Sequence, residues 1–289
     1  MTFVTTSDVI SPELLLEAVQ GALANAIVMA GTGVALFKAG MPAGRAEMGQ
    51  QIKVPYFDHI GEMEDLADGQ NATIRGLSMS HELATVRRSA IAVESTWWAQ
   101  ASASDNPYAE MGGQVLVSAT RRADKALLDE AIGDTNALEM DGYLAGNNAS
   151  FFDWDLAVDG RDKWGDEDND IGALVMHSKT RSRLLKLKDS TGRPLYEMGK
   201  DGKIDTYCGL PTFVTNRLTP TADAVPKYTT LMLKKGSMIF WAGDIRVRTG
   251  EQVLSDSDLM ALHMYWCVKA YKRHPMGTKS GIVRIFHKS

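Results

Sequence analysis

Met111, Val115, Ala119, Ala123 and Leu127 recur at a strict four-residue interval, with Tyr108, Leu116 and Leu128 beside them. Side chains four apart share one face of an α-helix, so this spacing predicts a long amphipathic helix with a single buried stripe. Asp105-Asn106-Pro107 supplies the start signal, a capping side chain ahead of a proline, and Gly133 marks the end. The remaining positions carry Arg121, Arg122, Asp124, Lys125, Asp129 and Glu130, a mixed-charge surface that suits either solvent or a neighbouring molecule. Whatever else the chain forms must cover the stripe of this helix.

Before it lie two further patterns. Ser11-Pro12-Glu13, followed by Leu15, Ala18, Val19, Ala22, Leu23, Ala26 and Ile27 at three- and four-residue spacing, predicts a helix over residues 12–29, stopped by Gly31-Thr32-Gly33. Residues 52–57 and 83–93 read as strands flanking an acidic middle that contains Gly61, Glu62, Glu64, Asp65, Asp68 and Gly69. That middle has too few large apolar residues to make a core, which predicts a long hairpin projecting from the body. A hairpin that cannot stabilise itself is expected to lie on something.

After the long helix, residues 134–170 are rich in Gly, Asn and Asp and mark an organisational boundary. Residues 171–176 then read as a buried strand, 178–187 as a helix and 209–214 as a strand entered through a turn, which together imply an α/β subdomain. Residues 237–241 and 245–248 read as short strands, 259–270 as a strand covered on both faces because its alternation is poor, and 281–287 as a last strand.

With 289 residues, 44% hydrophobic and 23% charged, the chain is expected to fold as one elaborated unit or two subdomains. A net charge of −5 argues against a dedicated duplex-binding protein, which needs a basic surface first. Cys208 and Cys267, far apart and without CxxC pairing, read as small buried apolar residues in a reducing compartment. No basic segment followed by an apolar one opens the chain and no apolar run reaches a membrane span, so a cytoplasmic, non-membrane protein is expected.

Chemical motifs are incomplete. His81-Glu82-Leu83-Ala84-Thr85 begins like the zinc motif HExxH but has Thr85 where the second His belongs. His59-Ile60-Gly61-Glu62 offers an acid and a base with no nucleophile nearby. Asp166, Asp168 and Asp170 alternate as in a calcium loop, yet Ile171 and His177 replace the required Gly and Glu. Gly31-Thr32-Gly33 follows a helix and lacks the third glycine of a dinucleotide fingerprint. These readings predict no catalytic, cofactor-binding or metal-binding residue, and no enzyme; a metal-dependent hydrolase using residues 166–170 is the disfavoured rival.

The order of elements, with Val54-Pro55, Ile60-Gly61, Asp68-Gly69, Val93-Glu94-Ser95, Arg122-Ala123-Asp124-Lys125-Ala126-Leu127-Leu128, Val175-Met176-His177-Ser178, Gly192-Arg193-Pro194-Leu195 and Cys208-Gly209-Leu210-Pro211 in sequence, resembles the tailed-bacteriophage major capsid proteins of the Hong Kong 97 type. The resemblance implies an α+β fold divided into an N-terminal arm and helix (1–47), an extended loop hairpin (48–93), a peripheral domain with the long spine helix (94–145), an α/β axial domain (146–243) and return strands (244–289). It implies a virion shell built from pentamers and hexamers of the chain itself, made in the host cytoplasm. A portal, and weak, sequence-independent contact with packaged double-stranded DNA, are also implied. No fused scaffold precedes the first helix, so a separate scaffolding protein is expected. The hairpin lacks lysine from Gly61 to Met79, so no isopeptide cross-link is expected. An encapsulin-type nanocompartment shell is the alternative within the same fold. Candidate intersubunit contacts are the acids Glu62, Glu64 and Asp65 and the arginines Arg75, Arg87, Arg88, Arg121 and Arg122, because the arginine fork suits carboxylates across an interface.

Overall fold

The computed structural model describes residues 33–39, 49–57, 60–61, 63–102, 107–142, 150–188, 191–192, 206–222, 226–252, 255–271 and 279–288. The helix expected over residues 12–29 lies outside them, as do His59, Glu62, Asp105, Asn106 and the segment Arg193-Pro194-Leu195. In chain order the strands are β1 (Ala35–Ala39), β2 (Gln51–Phe57), β3 (Met79–Thr85), β4 (Arg87–Thr96), β5 (Leu138–Asp141), β6 (Ile171–Met176), β7 (Thr206–Tyr207), β8 (Leu210–Val214), β9 (Tyr228–Lys234), β10 (Met238–Gln252), β11 (Ser257–Ala270) and β12 (Ile282–His287). The helices are α1 (Trp97–Ser102), α2 (Pro107–Gly133), α3 (Trp154–Asp162) and α4 (Ser178–Lys186).

Helix α2 places Met111, Val115, Ala119, Ala123 and Leu127 in the interior, as their spacing requires. Ala126, Leu128 and Ala131 are buried too, because α2 is packed by two sheets instead of one. One sheet has the order β1-β10-β11-β4, and sends Phe240, Leu262, Met264 and Trp266 toward α2. The other has the order β5-β12-β9-β6-β8-β7, and contributes Ala173, Val175, Leu231 and Ile282 to the same core. Its opposite face, with Leu174, Met176, Met232 and Ile285, packs beneath α3 and α4 through Leu156, Ala157 and Leu184. The chain crosses between the sheets in one short step, where Lys234 ends β9, Gly236 takes a positive φ of 66° and Met238 begins β10.

Local chemistry explains the shorter elements. Asp153 Oδ1 accepts from the Leu156 N–H at 3.0 Å and caps α3, while His177 Nδ1 accepts from the Lys179 N–H at 3.1 Å and caps α4. Arg183 and Lys186 sit in the last turn of α4, where cations oppose the negative end of the helix dipole. Strands β6 and β8 pair in parallel on either side of α4, the strand-helix-strand unit that was expected.

The structure corrects several expectations. Residues 83–93 are not one strand: the chain breaks at Val86, whose N–H donates to Gln50 O while its own carbonyl accepts from Gly49, so β3 stays with β2 and β4 joins β11. Residues 237–241 and 245–248 belong to one 15-residue strand, β10, irregular only between Ala242 and Ile245, where the pairing with β11 shifts register. Residues 259–270 are covered on both faces only near Cys267. Toward Ala261 and His263 the second face is half exposed. The boundary region holds β5 and α3, and strands β1 and β9 were not expected at all. Cys267 is buried as predicted, but Cys208 is only half-buried, in the turn between β7 and β8.

Candidate assembly surfaces

Strands β2 and β3 pair antiparallel from Gln51 opposite Thr85 to Phe57 opposite Met79. At their base Ile52, Val54, Ala84 and Val86 bury against Trp241 and Cys267 of the four-stranded sheet. A polar tie reinforces this seat: Asn136 Nδ2 donates to Glu82 Oε1 at 2.8 Å, and Lys269 Nζ lies 3.5 Å from Glu82 Oε2 and 3.0 Å from Glu130 Oε1 on α2. Sequence reading had passed over Glu82 except as part of a failed zinc motif. Only the strand register shows that it faces the body.

Beyond Phe57 the described residues of the hairpin form neither helix nor strand and are exposed, including Met63 and Ile74, which are completely so, and Leu77. The loop is nonetheless braced. Arg75 Nη2 lies 2.5 Å from Glu64 Oε1, its Nη1 donates to Ile60 O at 3.1 Å, and Thr73 Oγ1 donates to Glu64 Oε2 at 2.9 Å. The Arg75 guanidinium first, and Thr73 next, hold the Glu64 carboxyl below the usual carboxylate range. Gly61 takes a φ of +92°, which favours glycine, and a Cβ there would push aside the Arg75 guanidinium that braces the loop. Glu64 and Arg75 therefore meet within one chain; Asp65 is exposed beside them, and Glu62 lies outside the described residues.

The other candidate arginines fall on three separate surfaces. Arg87 and Arg122 come together over the Trp266 ring, at 5.7 and 5.2 Å from its centre, so the second member of one sequence pair joins the first member of the other. Arg88 points to the opposite face of β4, where its Nη2 lies 2.9 Å from His263 Nδ1 and it lines a hollow with Arg246, Arg248 and Tyr265. Partial burial, then Arg88 and Arg248, push the His263 pKa down. Arg246 and Arg248 alternate in β10 and so share a face, a signal present in the sequence, but their meeting with His263 depends on register. Arg121 lines a third surface, an open hollow of about 510 Å³ between α2 and β8 floored by Leu128, Val175 and Phe213, beside an ion pair in which Arg217 Nη1 lies 3.4 Å from Asp124 Oδ2. At the end of β4, Trp97 and Trp98 are exposed on α1.

The aspartates of the acidic loop are dispersed by the fold: Asp168 Oδ2 is held by Arg161 Nη2 at 2.6 Å, and Asp170 adopts a φ of 64° while its carbonyl accepts from Lys235. Among the described residues no group of three or more His, Cys, Asp or Glu side chains is placed to hold a metal ion. No described helix is long and apolar enough to cross a membrane.

No protein-family model matches the sequence, and no curated protein does so. Solved structures do match the fold. The capsid of an empty GTA particle superposes with a TM-score of 0.64 at 12% identity, covering 91% of this chain and 90% of that one. The capsid of Ralstonia phage GP4 gives a TM-score of 0.63 at 10% identity over 90% and 88% of the two chains, and a structure from Microbacterium phage Oxtober96 gives 0.59 at 16% identity over 99% and 95%. With two sheets about one long helix and a braced hairpin beyond them, the chain has the α+β fold of phage capsid subunits.

Proposed function

We propose that the chain is a major capsid protein, many copies of which assemble into the icosahedral shell of a tailed phage, and that its role is structural and not enzymatic. The observation that carries this reading is the match to capsid structures along about nine-tenths of both chains. Physics supports it from another side. Completely exposed Met63 and Ile74 lie on a loop with no core of its own, an arrangement that costs free energy unless another molecule covers them. A second copy fits: a hairpin that leaves its own body makes a heterologous contact, and repeated heterologous contacts build rings and shells.

On this reading the hairpin lies over a neighbour, with Glu62, Glu64, Asp65 and Arg75 on one side of the contact and Arg87, Arg88, Arg121 and Arg122 among the groups available to receive it. The Glu64–Arg75 pair braces the loop, and Asp65 carries the charge presented outward. Pentamers, hexamers, a portal and a separate scaffolding protein belong to the same proposal, as do the five-part division of the chain and its place in the virion. The test is to express the chain alone and with its gene neighbours, then examine the product by size-exclusion chromatography and negative-stain electron microscopy. Closed shells or extended sheets are expected, and their contents distinguish DNA from an enclosed cargo protein. A stable monomer or dimer that never assembles with a scaffold candidate overturns the reading.

A further inference from the structure

The four-stranded sheet separates its charges along its length. On the face turned away from α2, strand register stacks side chains in rows: Tyr265 beside Arg88, then Arg246, His263 and Ala90, then Arg248, Ala261 and Ala92. The base of the chain's own hairpin covers this face at Trp241 and Cys267, whereas Arg88, Ala90, Ala92, Arg246 and Arg248 are exposed. The hollow lined by the three arginines, His263 and Tyr265 has no carboxylate among its described lining residues. The far end of the same sheet is the reverse. Residues 89–102 and 249–262 contain no lysine or arginine, and Glu94, Glu251, Asp256 and Asp258 gather where β4, β10 and β11 end. The Ser257 and Ser255 hydroxyls donate to Glu94 and hold its carboxyl below the usual range. The Trp97 N–H donates to the Asp256 carbonyl at 2.9 Å and Gln100 Nε2 to Asp258 Oδ2 at 2.8 Å, which fixes α1, with its exposed Trp97 and Trp98, beside these acids. One chain cannot bring its two charged regions together: Arg248 stands opposite Ala261, five residues from Asp256, or about 17 Å along the strand.

We infer that the acidic end of this sheet, Glu251, Asp256 and Asp258 with Trp97 and Trp98, docks on the Arg88, Arg246 and Arg248 face of a second copy. The charges are complementary, and both partners are held on one rigid sheet. Tryptophan and arginine are enriched at protein interfaces and attract one another when a guanidinium lies over an indole face. Ala90, Ala92 and Ala261 keep the floor between the arginines low, so that rings can approach it. The hairpin fits this face less well. Its Glu64 already holds Arg75, and its completely exposed side chains, Met63 and Ile74, are aliphatic and give a guanidinium no ring to stack on. Each copy gives its acidic end to one neighbour and its arginine face to another, a heterologous contact that closes into a ring when the rotation allows. The inference rests on the shell reading for what the contact builds, and adds to it a meeting of copies that does not involve the hairpin.

The experiment measures self-association of the full chain at low salt by sedimentation velocity over a concentration series. Arg246→Glu/Arg248→Glu is expected to weaken association at least about tenfold, because like charges then face each other across the contact. Glu251→Arg/Asp256→Arg should weaken it similarly. Combining all four substitutions in one chain should recover most of the loss, since the reversed charges attract again, and recovery shows that the substituted chain is folded. Adding Asp65→Arg/Asp68→Arg to the face variant should recover nothing. Absence of self-association by the wild type, an unchanged association constant in the face variant, or failure of the four-fold variant to recover overturns the inference. So does recovery through Asp65→Arg/Asp68→Arg, which would assign the face to the hairpin. Shells are scored separately by electron microscopy. Association that is lost and recovered by charge exchange, without shells, would leave this inference standing and the shell reading fallen; normal shells from the face variant would do the opposite.

Discussion

Lowering the pH should destabilise this chain through one buried histidine. His287 is completely inaccessible in β12, with Nε2 2.8 Å from Thr230 Oγ1, Nδ1 2.9 Å from the Lys288 carbonyl, and the Phe152 ring centre 5.2 Å away. A proton on Nδ1 donates to that carbonyl, which leaves Nε2 to accept from the threonine hydroxyl; a second proton would turn this acceptor into a donor. Burial is the main cause that pushes the His287 pKa from 6.5 down to about 4; the Lys288 bond opposes it and nearby His177 adds to it. The unfolded chain therefore binds the proton more readily. The stabilising contribution is present in full above about pH 6.5 and is lost as pH falls toward 4. Integrating between these values gives a loss of about 2 kcal/mol by pH 5 and about 3 kcal/mol by pH 4. Urea unfolding of the unassembled chain at pH 7, 6, 5 and 4 measures this, with His287→Phe/Thr230→Val as the comparison because it removes both ends of the bond and leaves no orphaned hydroxyl. Carboxylates titrate in both proteins, so the difference between the two pH profiles isolates the histidine. Profiles that run parallel within about 0.5 kcal/mol from pH 7 to pH 4 would refute the reasoning.

Other expectations follow from particular contacts. A Cβ at Gly160 in α3 would lie 2.5 Å from Ile285 Cδ1, so Gly160→Ala should lower stability by about 1–3 kcal/mol despite alanine's better helix propensity, and thermal unfolding checks it. Both thiols have pKa values pushed up to about 11, chiefly by burial, so Cys208 and Cys267 should resist thiol reagents at pH 8 until the chain unfolds; rapid modification of folded protein would contradict this. Arg75→Glu replaces the cation that braces Glu64 with a second anion, in a loop outside the core. The subunit's thermal midpoint should stay close to wild type while shell yield falls, and normal shells from this variant would remove the hairpin from the assembly proposal.

Elements whose signal is local were readable in the sequence. The stripe of α2, the buried run of β6 and the acidic loop of the hairpin each depend on residues near one another in the chain, and each stands where its pattern placed it. What failed was non-local. Nothing in residues 83–93 announces that Val86 ends one sheet and leads into another, because the break comes from pairing with Gly49 and Gln50. Strand β9 was missed although Leu231, Met232 and Leu233 are all buried, since a strand at the centre of a sheet covered on both sides has no alternation to reveal it. The candidate contacts divide in the same way. Arg87-Arg88 and Arg121-Arg122 were visible as pairs, yet neighbours in a strand face opposite ways, so Arg87 stacks on Trp266 with Arg122 while Arg88 joins His263.

Exposed charge and exposed apolar area respond differently to salt, so salt distinguishes what each contributes to assembly. Arg88, Arg246 and Arg248 cluster with His263 and Tyr265 on one sheet face, while the completely exposed Met63 and Ile74 lie on the hairpin. Apolar burial is insensitive to moderate salt, whereas interactions between exposed charges are screened by it. Under the assembly proposal, raising salt from about 50 to 200 mM should weaken contacts between exposed charges. The same change should leave shells largely intact if copies meet by covering the exposed Met63 and Ile74 of the hairpin. Shells that dissolve over this range would mean that copies adhere through charge alone, and that the exposed apolar side chains of the hairpin are not where they meet.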